Sequence, residues 1–298
     1  MKNRDAFSSL HPLVNFIYFA LVFALSMCFM HPLCLAISLV SSFVYAYYLK
    51  GGSAARFTIR VMLPMLLLAA IVNPAFNHEG ATILRYLPSG NPLTLESIIY
   101  GLGAAVMLVA VIMWFTSFNE VFTSDKFVYL FGRIIPALSL VLSMTLRFVP
   151  RFSEQTKKVA EAQRCLGRDV SYGSVISRLK KAVTILSIMV TWSLENAIET
   201  ADSMKSRGYG LPGRTAFSIY SFDERDRETL VWLVFSGSYV FGGSLSGCLY
   251  FRYYPTVRGA EMNAFSISFF AIYLLLCLTP VIINIKEDRT WKYLQSTI

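Results

Sequence analysis

Apolar and polar positions alternate in long blocks rather than in short periods. Residues 13–30 and 33–48 are two apolar runs divided only by His31-Pro32, and residues 61–76 make a shorter third. Residues 98–117 form a fourth, 230–250 a fifth and 264–285 a sixth. A helix needs about 20 apolar residues to cross a bilayer, so each run predicts a spanning helix and the third must draw on its flanks. The expected fold is an all-α integral membrane protein with about six transmembrane helices. His11 and His31 precede prolines, which marks them as helix-entry residues. Asn73-Pro74 predicts the end of the third span. The first apolar block lacks a cleavage pattern and reads as a retained span.

Composition agrees. The 298 residues are 55% hydrophobic and only 15% charged, with a mean hydropathy of +0.53. Soluble domains carry about a quarter charged residues, so this chain is not an ordinary soluble enzyme. Its net charge of +9 is informative through its placement. Lys2 and Arg4 precede the first run, Lys50, Arg56 and Arg60 follow the second, and Lys286, Arg289 and Lys292 follow the last. The positive-inside rule makes these clusters cytoplasmic, and six crossings then put both termini inside. The basic charge belongs to the bilayer surface, and nucleic acid is not implied. Five cysteines without CxxC spacing suggest neither a disulfide framework nor a zinc site.

Residues 127–149 are apolar but unlike a span. Gly132, Arg133 and Pro136 interrupt them, Arg147 lies near their end, and a crossing there would send the following basic region outside. They predict an interfacial helix pair whose second helix opens at Pro136. From there to Arg214 basic residues outnumber acidic ones in a patterned stretch. Phe152, Val159 and Leu166 recur every seven residues, with Ala162 between, and Gly167 is a helix stop. A second helix is expected from 174 to 207, with Val175, Leu179, Ala182, Val183, Leu186, Val190, Ala197, Ala201 and Met204 as its apolar stripe. Gly208 ends it and Pro212 prevents its resumption. The two stripes are expected to pack against each other and against the membrane helices. The chain therefore divides into 1–126, 127–214 and 215–298: membrane helices, a cytoplasmic or interfacial two-helix insert, and membrane helices again.

The stretch Arg147-Phe-Val-Pro-Arg-Phe, then Glu161-Ala-Gln-Arg-Cys-Leu-Gly-Arg168, then Ala201-Asp-Ser-Met-Lys-Ser-Arg-Gly-Tyr209 resembles the transmembrane T component of energy-coupling factor transporters. That family includes the membrane scaffolds of cobalt, nickel and vitamin uptake systems. The resemblance implies two cytoplasmic coupling helices, each ending in an Ala-Arg-Gly-type motif that docks on one of two ABC ATPases. It also implies a substrate-binding membrane subunit as third partner, a prokaryotic plasma membrane, and a scaffold that is no enzyme and needs no cofactor or metal of its own. Ser206, Arg207 and Gly208 are the better match. The first motif reads Arg164, Cys165, Leu166, Gly167, Arg168, with leucine where the pattern has arginine and two arginines flanking it.

Other motifs carry less. Gly208-Tyr-Gly-Leu-Pro-Gly213 spells GxGxxG, but a helix precedes it instead of a strand, so it reads as a turn. No P-loop motif occurs. Asp223, Glu224 and Asp226 offer closely spaced carboxylates at a membrane edge. They read as a solvated turn or, alternatively, as the Mg²⁺ site of a membrane-embedded transferase. Gly243 and Gly247 form a GxxxG face able to seat a neighbouring helix or a partner.

Overall fold

Two His-Pro pairs open the first two helices of the computed structural model, which describes residues 5–86, 92–132, 135–212, 220–260 and 263–297. Helix α1 (Pro12–Cys28) begins with Pro12 in its first turn, and the His11 ring accepts a hydrogen bond from the Leu13 N–H at 3.2 Å. Helix α2 (Pro32–Lys50) repeats the device with His31 and Leu33 at 3.3 Å. Each ring satisfies one of the four orphan N–H groups of a helix start, while proline has no N–H to satisfy. Of the basic residues weighed above, Lys2, Arg4, Arg133 and Arg214 lie outside the described residues, as does Gly213.

The third run is longer than its apolar letters suggested. Helix α3 (Gly52–Phe57) continues through a π turn, Thr58–Met62, into α4 (Leu63–Phe76). The flanks make up the span, and Pro74 sits in its last turn without ending it. A hairpin of β1 (Ile83–Tyr86) and β2 (Pro92–Thr94) leads into α5 (Leu95–Val121). Gly101 lets α5 approach α4, since a Cβ there would stand 2.9 Å from the Cβ of Asn73. Helix α6 (Ser124–Gly132) follows, then α7 (Pro136–Cys165) and α8 (Val175–Ser206). Pro136 opens α7 as expected, but α7 then runs on through Pro150 as a single helix of 30 residues.

Helix α9 (Glu224–Leu245) and α10 (Ala264–Thr297) complete the chain, with the short strands β3 (Phe251–Arg252) and β4 (Arg258–Gly259) between them. α9 starts six residues before its apolar run because Asp223 and Asp226 form a reciprocal capping box. α10 outlasts its apolar run, and its polar end is tied down by Arg225 to Glu287 at 3.3 Å and the Tyr48 hydroxyl to Asp288 at 3.0 Å. By length and apolarity α2, Gly52–Phe76, α5 and α10 are each sufficient to cross a membrane. Of the other two expected spans, α1 is apolar but shorter, and α9, which opens on charged residues and ends at Leu245, does not reach the same apolarity. The chain is thus an all-α membrane protein.

The chain falls into two compact units, Met1–Lys126 with Tyr220–Ile298, and Phe127–Ile219. The first has a dense core in which Trp114, Tyr18, Tyr45 and Tyr273 are completely or almost completely buried. Their polar ends are all used. Trp114 Nε1 donates to Ser38 Oγ at 3.0 Å, Ser38 meets Ser26 at 2.8 Å, and Ser26 meets the Tyr273 hydroxyl at 3.2 Å. This ladder joins α5, α2, α1 and α10 inside an apolar interior, where an unpaired polar atom would be costly.

Candidate coupling site

In the second unit α7 and α8 pack through a narrow seam. Phe152 meets Trp192 edge to face with centroids 5.4 Å apart, and the Arg151 guanidinium lies 5.7 Å from the Trp192 ring. Ile185 and Met189 are the buried apolar residues of α8. An open groove of about 380 Å³ runs beside them, lined by Phe152 and Thr156 of α7 and by Ala182, Ile185, Leu186, Met189, Val190 and Ser193 of α8. Ser177, Lys181, Thr184, Asn196 and Thr200 are half-buried along the same face, so the α8 side of the seam carries many polar residues.

This overturns one expectation. Val175, Leu179, Val183, Leu186 and Val190, predicted to pack inward, are 52–80% exposed, Leu186 and Val190 as walls of that open groove, with Leu194 and Ile198 continuing the row. Ala182, Ala197 and Ala201 are exposed as well, and only Met204 of that stripe is half-buried. The 3.6-residue period was correct and its phase was assigned to the wrong neighbour, because an apolar stripe says that something covers it and not what. On α7 Phe152 and Val159 are half-buried, whereas Leu166 is 69% exposed.

The ends of the two helices are built alike. At α7 the Gly167 N–H donates to Arg164 O at 3.0 Å and the Arg168 N–H to Gln163 O at 2.9 Å. At α8 the Gly208 N–H donates to Lys205 O at 3.0 Å and the Tyr209 N–H to Met204 O at 3.0 Å. Both are Schellman caps, with glycine at φ +73° and +75° in the left-handed region that side chains disfavour. The cap residues Leu166 and Arg207 have nearly the same backbone angles, φ −83° ψ 11° and φ −86° ψ 11°. The two motifs therefore present Cys165-Leu166-Gly167-Arg168 and Ser206-Arg207-Gly208-Tyr209 in the same backbone frame. Leu166 occupies the place that Arg207 occupies.

The two flanking arginines are both exposed and differ in pairing. Arg164 Nε lies 3.3 Å from Asp169, whereas Arg168 pairs with no carboxylate among the described residues. Hydrogen bonds from Ser171 hold the Asp169 carboxyl below its ordinary range, with Arg164 and Lys181 adding to the effect. The turn after α7 is fastened to the start of α8: Lys181 Nζ donates to Asp169 O at 2.8 Å and Tyr172 O at 3.0 Å, and Arg178 Nε to Val170 O at 2.9 Å. The first helix end is thus a braced turn carrying an exposed leucine. The second carries an exposed arginine that pairs with no carboxylate among the described residues. Gly208 and Gly210 of the GxGxxG string both have positive φ, so the string is a turn following a helix.

The acidic turn has a structural use. Asp226 is buried; its Oδ1 accepts the His11 N–H at 2.8 Å and its Oδ2 the Asp223 N–H at 3.0 Å. Both oxygens are committed to backbone, and among the described residues no group of three His, Cys, Asp or Glu side chains converges as metal ligands. Gly243 and Gly247 do not share a helix face. A Cβ on Gly243 would lie 2.5 Å from Phe269 Cδ1, so it seats α10 of the same chain. Gly247, at φ +77°, lies past the end of α9 and closes it with the same cap seen at α7 and α8. The cap is therefore a general way of ending a helix in this chain.

One feature escaped sequence reasoning, the exposure of the α8 stripe; the equivalence of Leu166 and Arg207 was legible in the motifs, and the structure adds their common backbone angles.

The cobalt transport protein family CbiQ matches residues 8–217, a stretch covering most of both units and ending before α9. The energy-coupling factor transporter transmembrane protein EcfT of Lactobacillus helveticus is 37% identical over 101 residues, 34% of this chain and 36% of that protein. Its counterpart in Lacticaseibacillus paracasei is 36% identical over 112 residues, 37% of this chain and 40% of that one. That of Bacillus subtilis is 33% identical over 105 residues, 35% and 40% respectively. The chain thus aligns with well under half the length of these relatives. Since the family match extends over most of the chain and carries both helix-end motifs, the chain belongs to the CbiQ cobalt transport protein family, as a transmembrane T component of the energy-coupling factor type.

Proposed function

We propose that this chain is the mechanical scaffold of an uptake transporter, joining two ABC ATPases to a substrate-binding membrane subunit for vitamin or transition-metal import. The observation that carries the reading is the pair of matching helix ends, Leu166 and Arg207 each exposed at the C-cap of a helix of 30 or more residues. Arg207 supplies a rigid planar donor for a carboxylate in an ATPase groove. Leu166, in the same frame, supplies an apolar knob, with Arg168 as the cation beside it. The two ATPase contacts therefore differ in chemistry.

Closure of the ATPases on ATP drags both helix ends. A helix is stiff along its axis, and α7 and α8 are about 45 Å long or more, so the displacement is carried to the bilayer. The outward row from Val175 to Ile198 is the surface that meets the substrate-binding subunit. Six crossings with both termini in the cytoplasm are supported by the charge clusters at Lys50, Arg56, Arg60, Lys286, Arg289 and Lys292. Residues 127–214 act as the coupling insert between the membrane segments 1–126 and 215–298. Hydrolysis belongs to the ATPases, and the host membrane is a prokaryotic plasma membrane.

The test is detergent co-purification of the tagged chain with its partners, wild type beside Arg207→Glu. ATPases should accompany the wild type and be depleted from the variant. A wild-type chain that is folded but brings down no ATPase would defeat the proposal.

A further inference from the structure

A buried lysine stands where the chain leaves the membrane unit. Lys126 is the last residue of that unit and lies in the first turn of α6, which continues into the unit bearing α7 and α8. It is 6% exposed. Its ammonium donates to Ser8 O and, at 2.9 Å, to Val121 O. In the amide orientation that satisfies both partners, Asn15 Oδ1 accepts a third bond from Lys126 at 2.9 Å while Asn15 Nδ2 donates to Phe7 O at 2.9 Å. All three N–H donors of the ammonium are used.

One acceptor, Ser8, belongs to a short segment stitched across the bundle. The turn Phe7–Ser9 is held by α10, where Asn284 Oδ1 accepts the Ala6 N–H at 2.6 Å and its Nδ2 donates to Asp5. It is held by α2, where the Tyr45 hydroxyl donates to the other Asp5 oxygen at 3.1 Å. Asn15 brings in α1 and Val121 the end of α5. Phe7 fills the space beneath with no exposed surface, edge-on to Tyr18 at 5.0 Å. One ammonium therefore ties the root of α6 to a plug that touches α1, α2, α5 and α10.

A buried charge held by carbonyl oxygens is costly, and hydrophobic packing would stabilise the same place more cheaply. Its value is geometric: three directed, charge-assisted bonds fix one position. We propose that Lys126 is a positioning residue for force transmission, locking the root of the helix that carries the coupling unit to the N-terminal plug. Motion then reaches the bundle instead of being absorbed by flexing between α5 and α6. This rests on the scaffold reading above. Burial lowers the Lys126 ammonium to about 8, and Asp5 of the plug, its own carboxyl raised by burial, acts in the opposite direction. The other groups around the ammonium, Asn15, Asn284 and the two carbonyls, are uncharged, and Tyr45 reaches it only through Asp5.

The experiment uses the complex purified with its partners, in nanodiscs, with nitroxide amino acids at exposed Ser53 and Lys158. Pulsed dipolar spectroscopy reads the distance distribution across the α5–α6 root, with and without ATP. Wild type should give a narrow distribution that shifts with ATP. Lys126→Met should roughly double its width and blur the shift while the ATPases still co-purify. Lys126→Arg should restore the width. Between pH 7 and pH 9 the wild-type distribution should broaden as the ammonium loses its proton, and the Lys126→Arg distribution should not. A Lys126→Met complex as narrow and as responsive as wild type overturns the assignment. So does a wild-type width that ignores pH in this interval. Absence of ATPases from the wild type would sink the scaffold reading, and is recorded separately from the width.

Discussion

The membrane unit and the unit bearing α7 and α8 both leave apolar rows outward but differ in what they bury. In the first, Trp114, Tyr18, Tyr45 and Leu233 are sealed and every aromatic hydroxyl or N–H in the Trp114 ladder has a partner. In the second, helices of 30 and 32 residues bury Ile185 and Met189 and leave a row of valines, leucines and isoleucines facing outward. Apolar rows of this length mark either lipid or a protein partner. The difference lies in the interiors: one unit seals aromatic residues with their polar ends paired, and the other buries two apolar residues beside half-buried polar ones.

Placing a carboxylate in each unit breaks that contrast most sharply. Leu233→Glu, at a fully buried site in α9, should cost more than about 4 kcal/mol and prevent recovery of a detergent-stable chain. Leu186→Glu, on the outward row, should leave the chain folded and instead detach the membrane partner. Size-exclusion profiles with subunit identification separate the two outcomes. Arg207→Glu comes next, costing about 2–5 kcal/mol in ATPase binding if its guanidinium meets a buried carboxylate. Leu166→Glu should cost less, because it removes an apolar knob and leaves Arg168 to compensate. Equal losses would show that the two helix ends are chemically equivalent after all.

Smaller effects sharpen the picture. Gly243→Val should destabilise the membrane unit by about 1–3 kcal/mol, since its side chain would enter the Phe269 ring, while Gly247→Val meets open space and acts only through its backbone. Thermal inactivation of the two variants compares them. Gly167→Ala and Gly208→Ala should each cost about 1 kcal/mol through the left-handed cap, and the second should also tighten against Leu211, 3.0 Å from the added Cβ. Titrated ATPase binding would register both as small shifts.

Much of this architecture was legible from residues alone, for identifiable reasons. The His-Pro entries, Pro136 at the start of α7 and the glycine stops at 167 and 208 are local devices, so local sequence encodes them. Element ends set by tertiary partners were not legible. α9 begins at Glu224 through a capping box that also holds the His11 backbone, and α10 continues to Thr297 on contacts from Tyr48 and Arg225. The α8 stripe had a readable period and an unreadable destination. GxxxG was legible at Gly243, which seats α10, and not at Gly247, because the helix ends between the two glycines. Lys126 gave no signal, since an isolated lysine after a span reads as an orientation charge; only folding brings Ser8, Asn15 and Val121 around it.

The most direct measurement is site-specific photo-cross-linking in native membranes, with a benzophenone amino acid placed in turn at Leu166, Tyr209, Val183 and Leu194. The account predicts that Leu166 and Tyr209 capture ATP-binding subunits and that Val183 and Leu194 capture a membrane subunit. It is contradicted if the helix-end positions capture no ATPase, or if all four positions label the same partner.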